Sequence, residues 1–152
     1  MPRLITAYTD IQSTPMFKVY KSSAQSISTN TWTKVTFDSV FTNGDPLGEF
    51  DLTNERYQPS VAGFYQFIFN CSLQGSGGTL RYTAIVKNSS YMAYTELYSN
   101  TNIRSSLSSL IHMNGSTDTV EFQAYTQATS GTPQIRGNSN ETQAQGFLVR
   151  AD

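Results

Sequence analysis

The residues able to do chemistry in this chain are few. There is one histidine, His112, and one cysteine, Cys71. A nucleophilic triad would need His112 beside a serine and an aspartate, and no Gly-x-Ser-x-Gly elbow occurs. A zinc site built on His and Cys needs several such ligands at suitable spacing, and one of each, far apart in the chain, does not supply it. Cys71 has no partner for an intrachain disulfide. It falls on an apolar strand face, where a thiol behaves as a small hydrophobe. Carboxylates gather twice, as Asp45, Glu49 and Asp51 around one turn and as Asp118 with Glu121 near another. Calcium is the cation such oxygens could accept, although aspartate in these places is first of all a turn former. The run Gly75-Ser-Gly-Gly78 lacks the lysine and the following helix of a phosphate loop and reads as a flexible turn. The expectation is a chain that is not an enzyme and holds no cofactor, with calcium the one metal to keep in view.

The feature most suggestive of binding is aromatic. Tyr91, Tyr94 and Tyr98 lie close together, and Tyr82 and Tyr125 join them in the strand pattern. Tyrosine offers rigid, amphipathic contact area, and its ring stacks on sugar faces. Tyr91, Tyr94 and Tyr98 are therefore the candidate ligand surface, for a glycan or a protein of a host surface. In a hairpin some of these rings are expected to point inward, with about half of them serving as core. Four Asn-x-Ser/Thr sequons occur, at Asn70, Asn88, Asn114 and Asn140, as chance allows in a chain so rich in these residues.

The elements that must carry these residues are strands. From Tyr65 every second position is large or apolar (Tyr65, Phe67, Phe69, Cys71, Leu73), the period of a strand with one face on a core. The opposite set, Phe64, Gln66, Ile68, Asn70 and Ser72, is interrupted by Phe64 and Ile68, which points to a second covering layer such as another subunit. Around this stretch, Tyr57–Leu73, the alternation predicts strands at 17–21, 27–30, 32–41, 50–52, 80–87, 91–98, 105–113, 119–127 and 143–150. Residues 128–142 read mostly as loop, with a strand at 134–136. Leu80, Tyr82, Ala84 and Val86 share one face of the 80–87 strand. Asn43-Gly44, Asn88-Ser-Ser90 and Asn114-Gly115 mark turns. No helical period is sustained. About ten short antiparallel strands at this spacing give an all-β sandwich with a jelly roll as the leading architecture.

The chain of 152 residues fits one domain, large enough to bury roughly 70% of its unfolded-chain surface. Only 14% of residues are charged, against roughly 25% in an average soluble domain, so neutral hydroxyls and amides solvate the surface. The net charge is −1 and the basic residues are scattered, which removes nucleic acid from the expected partners. No stretch approaches the ~20 apolar residues of a membrane span. The opening Met1-Pro-Arg-Leu-Ile-Thr-Ala-Tyr-Thr-Asp-Ile-Gln12 is not a signal peptide. If Met1 is the native start, the product is made in a cytoplasm.

In its landmarks the sequence resembles the complement C1q-like family, whose globular heads share the tumour-necrosis-factor jelly roll. The family pattern of an aromatic, a proline and then Gly-x-Tyr-x-Phe-x-aromatic is matched by Tyr57, Pro59 and Gly63-Phe-Tyr65-Gln-Phe67-Ile-Phe69. Phe50-Asp51 upstream, Asn114-Gly with Asp118-Thr-Val120 downstream, and the closing Gly146-Phe-Leu-Val149 are similar to further family landmarks, in the same order over about residues 16–150. The resemblance implies a homotrimer, a closed ring of heterologous contacts, with Phe64, Gln66, Ile68 and Leu148 as the expected interface. With the lone thiol, the missing leader and the neutral polar surface, the expectation is a phage virion protein: a capsid decoration, fibre tip or receptor-binding knob. Residues 1–15 would be an arm docking the jelly-roll domain, 16–152, to other virion proteins. The alternative is a secreted C1q-like recognition protein, a lectin- or cytokine-like ligand of a cell surface.

Overall fold

A computed structural model describes residues 14–78 and 80–152 of the chain. The expected docking arm thus falls almost wholly outside the described residues. Thirteen strands follow in order: β1 (Met16–Tyr20), β2 (Gln25–Ser26), β3 (Thr33–Lys34), β4 (Ser39–Val40), β5 (Phe50–Asp51), β6 (Arg56–Tyr57), β7 (Ala62–Ser76), β8 (Leu80–Lys87), β9 (Ser90–Tyr98), β10 (Ile103–Asn114), β11 (Val120–Thr126), β12 (Ser130–Ile135) and β13 (Gln143–Ala151). They form two antiparallel sheets, so the all-β sandwich holds. Sheet one runs β2-β12-β7-β13-β1-β4, with β10 on the free flank of β7. Sheet two runs β5-β6-β11-β8-β9, with β3 added to β11.

β7 is the spine of sheet one. β10 pairs with it from Ala62 to Leu73 on one side. On the other side β13 pairs with its first half and β12 with its end. Its alternation resolves as the period predicts, with Tyr65, Phe67, Phe69, Cys71 and Leu73 all buried. The expected unbroken stretch does not begin at Tyr57, however. Tyr57 pairs with Val120 and Phe50 in sheet two, and the chain crosses between sheets around Pro59, which has no N–H to continue a ladder.

A second crossing explains why 32–41 is not one strand. Thr33–Lys34 pairs with β11 of sheet two, and Ser39–Val40 with β1 of sheet one. Between them Val35 and Phe37 plunge into the core. The Phe37 amide is satisfied by the Glu55 carboxylate at 2.7 Å rather than by a strand partner. The strand predicted at 27–30 is displaced to Gln25–Ser26, because Asn30 turns with φ +57°. The strand predicted at 134–136 lengthens to Ser130–Ile135.

The core is aromatic. Phe17 lies 4.5 Å from the Tyr57 ring and 5.0 Å from that of Phe50, and Phe69 lies 5.1 Å from Phe122. Gly146 makes this packing possible, since a Cβ there would sit 2.5 Å from the Phe17 ring. Gly63 is required for another reason: it has φ +153°, and a Cβ would meet the Arg150 carbonyl oxygen at 2.3 Å.

Candidate functional site

Two outer faces hold most of the large side chains that the sandwich does not bury. On sheet one, residues directly opposite one another in the ladders share a face. Gln66 is opposite Leu110 on β10 and Phe147 on β13, and Phe64 is opposite His112 and Arg150. Ile68 is flanked by Ser108 and Gln145. Phe64, Gln66 and Ile68 therefore point away from the core, as their alternation with Tyr65 and Phe67 requires. Leu148 does not join them. It is opposite Tyr65 and packs against the core, because one step along a strand reverses the face. The outward apolar positions are its neighbours, Phe147 (41% exposed) and Val149 (55%), with Leu110 (55%) from β10. A bulge between Leu148 and Arg150 brings Val149 and Arg150 round to line a hollow of about 270 Å³ with Phe64 and Leu110. The Arg150 guanidinium lies 5.2 Å from the Phe64 ring centre.

On sheet two the outer face is a cluster of rings. Tyr125, Tyr82 and Glu96 lie side by side across β11, β8 and β9, and Ala84 is opposite Tyr94. By period two Tyr91 would face away from Tyr94. A bulge reverses this: Ile85 pairs with Ala93 and Val86 with Tyr91, leaving Met92 as the extra residue. Asn88 and Ser89, both at positive φ, form the tight two-residue turn that hairpins of this kind favour. All five expected tyrosines therefore face outward. The expectation that half would be core fails because Ala93, Thr95 and Leu97 hold the inward positions of β9, opposite Ile85, Thr83 and Arg81. The shared face of Leu80, Tyr82, Ala84 and Val86 is thus the outer one. Arg81 points inward, buried, and donates from its guanidinium to the carbonyls of Leu73 and Gly75 at 3.2 and 3.1 Å.

Trp32, from the crossing before β3, closes this cluster. Its ring lies 5.0 Å from Tyr91 and 5.7 Å from both Tyr82 and Tyr125, tilted by 37–47°. With Tyr94 and Glu96 these rings wall an open concavity of about 440 Å³. Tyr98, 70% exposed, stands outside it and donates its hydroxyl to Glu96. Burial first and then Glu96 raise the Tyr82 phenol above its ordinary range, and Glu96 does the same to Tyr98. Of the candidate ligand residues, Tyr91 and Tyr94 line the hollow and Tyr98 supports its acid. Trp32 and Glu96 carry no local signal: Trp32 meets Tyr91 only through the fold.

A family model for the C1q domain matches residues 16–149. The chain belongs to the C1q-domain family. Among solved structures it is similar to the globular domain of zebrafish complement 1qA protein, at 17% identity and TM-score 0.62, covering 91% of this chain and 99% of that one. It is also similar to murine APRIL at pH 5.0, at 8% identity and TM-score 0.66, covering 90% and 99%. At these identities the likeness is one of fold. No curated protein matches the chain in sequence.

In this C1q domain the remaining reactive groups serve structure. Burial pushes the Cys71 thiol up to about 12, against a hydrogen bond with Thr142, so it is no nucleophile at neutral pH. His112 Nε2 lies 2.8 Å from the Asp152 carboxylate, with its ring edge-on to Phe64. Asp45 accepts from the amides of Glu49 and Phe50, both at 2.9 Å, and Asp51 from those of Thr53 and Asn54. Asp118 takes Lys87 at 2.7 Å, the Asn88 amide at 2.7 Å and the Asn114 N–H at 2.9 Å. Burial opposes its charge, and these donors hold its carboxyl below the usual range. Glu121, 2.5 Å from Lys34, belongs to a separate pair.

Proposed function

We propose that this C1q domain is a recognition module without enzymatic activity, that it works as a homotrimer joined through the outer face of sheet one, and that it presents the aromatic face of sheet two to its ligand. One observation carries the reading. Leu110, Phe147 and Val149 stand exposed beside Phe64 and Ile68 on one sheet face, and exposed apolar patches of this kind mark association sites. Homotrimers among C1q and tumour-necrosis-factor relatives support the same stoichiometry. The apolar side chains of that face have no polar group to offer water, whereas Tyr91, Tyr98 and Tyr125 opposite end in hydroxyls that hold partners.

The likenesses to a complement domain and to murine APRIL support display outside the cell. They favour a secreted recognition protein over display on a phage particle, which gains nothing from the family match.

Light scattering tests the assembly. The expected mass is three times the 16.9 kDa chain, and Leu110→Asp should reduce it to one chain with circular dichroism unchanged. A wild-type monomer at micromolar concentration would refute the proposal.

A further inference from the structure

We propose that the concavity on sheet two is a binding site for a quaternary ammonium group, the trimethylammonium of a choline-type ligand. This rests on reading sheet two as the ligand-facing side of the module, and it names the chemistry of that site. A cation is attracted to the negative face of an aromatic ring within about 6 Å of its centre, and tryptophan is the strongest such partner. Here Trp32 and Tyr82, Tyr91, Tyr94 and Tyr125 converge on one hollow. The rings are tilted against one another by 37–66°. Rings so tilted can meet a rounded group with more than one face and do not offer the single flat platform on which a sugar stacks.

The charges agree. Among the described residues, Glu96 is the only charged one in the lining, and no lysine or arginine joins it. Glu121 is already paired with Lys34, whereas Glu96 has no ion pair among the described residues. Its partners are the neutral hydroxyls of Tyr98 and Tyr82, so no cation offsets its charge among the described residues.

The hydrogen-bonding groups argue for a quaternary rather than a primary ammonium. Tyr91 donates its hydroxyl to Gln123 at 3.4 Å, and Tyr125 donates to Asn30 at 3.3 Å. With those hydroxyls turned to the protein, the lining is mostly ring face. A primary ammonium would lose water from three N–H donors and find in Glu96 the one anionic acceptor of the described lining. A trimethylammonium has no N–H to satisfy.

Trp32 is the only tryptophan in the chain, so its fluorescence reads this site directly. The intact protein is titrated with choline, and separately with 3,3-dimethyl-1-butanol, its neutral isostere, and with a methyl glycoside. The expected result is a saturable change with choline at an apparent Kd roughly tenfold below that of the neutral isostere. Glu96→Gln should weaken choline roughly fivefold, and Tyr94→Ala should weaken it as well. Equal affinity for choline and its isostere, no saturable response up to about 20 mM choline, or a response to the glycoside alone would each overturn the assignment. Light scattering on the same samples separates the two claims. A trimer blind to choline sinks the ligand class and leaves the assembly standing. A monomer that binds choline sinks the assembly and leaves the site.

Discussion

The two outer faces of this sandwich are both rich in large side chains, yet they are finished differently. The face of sheet one carries Leu110, Phe147, Val149, Phe64 and Ile68, whose exposed tips are carbon. The face of sheet two carries Tyr82, Tyr91, Tyr94 and Tyr125 around Trp32, and several of their hydroxyls are bonded to Glu96, Gln123 and Asn30. The first face exposes apolar side chains of the kind that mark association sites. The second can stay open, with polar tips held and ring faces available. On the proposed reading, one domain separates a surface for its own copies from a surface for a ligand.

The sharpest way to break this contrast is to move one step along β7. Phe67 is fully buried between the sheets, so Phe67→Ala should cost about 3–5 kcal/mol, read as a fall in the midpoint of chemical denaturation. Its neighbour Ile68 points outward. Ile68→Asp should leave the sandwich folded but dissociate the trimer, since an unpaired charge would be buried at the interface. Trimers of normal mass would remove Ile68 from the assembly face.

Acid provides a milder probe that touches neither face. The Asp118 carboxyl has a lowered folded-state pKa, so its contribution is present above the ordinary carboxylate value of about 3.9 and is lost as pH falls through the folded value. Unfolding on acidification should therefore begin near pH 4 and below. Asp118→Asn should flatten that limb while lowering stability at pH 7, and a variant with an unchanged acid profile would show that Asp118 is not the group responsible. The smallest effect is expected on sheet two. Tyr94, 62% exposed, should tolerate Tyr94→Ala within about 0.5 kcal/mol of wild type, with the mass unchanged by light scattering. A dissociated Tyr94→Ala protein would mean that the aromatic face, too, takes part in assembly.

Much of the frame was legible from period and punctuation. The inward set of β7 and the hairpin of β8 and β9 follow from local pattern, because backbone geometry is a local property. What local pattern missed has a common physical cause. The 32–41 segment alternates like one strand, but its two ends pair with different sheets, and only the sandwich decides that. Leu148, expected on the outer face, turns toward the core, because the register with Tyr65 fixes its face. Tyr91 joined Tyr94 through a bulge at Met92 that period two does not foresee. Trp32 and Glu96 entered the candidate site only when β3, β8, β9 and β11 were laid side by side. Faces that depend on a single-residue offset, or on contacts between distant segments, are readable only after folding.

Whether sheet one is the self-association face and sheet two is not can be read from light scattering of wild type and Leu110→Asp at the same micromolar concentration. The expected mass is three chains for the first and one chain for the second, with identical circular dichroism. A monomeric wild type, or a Leu110→Asp protein that remains a trimer, would contradict this division of the faces.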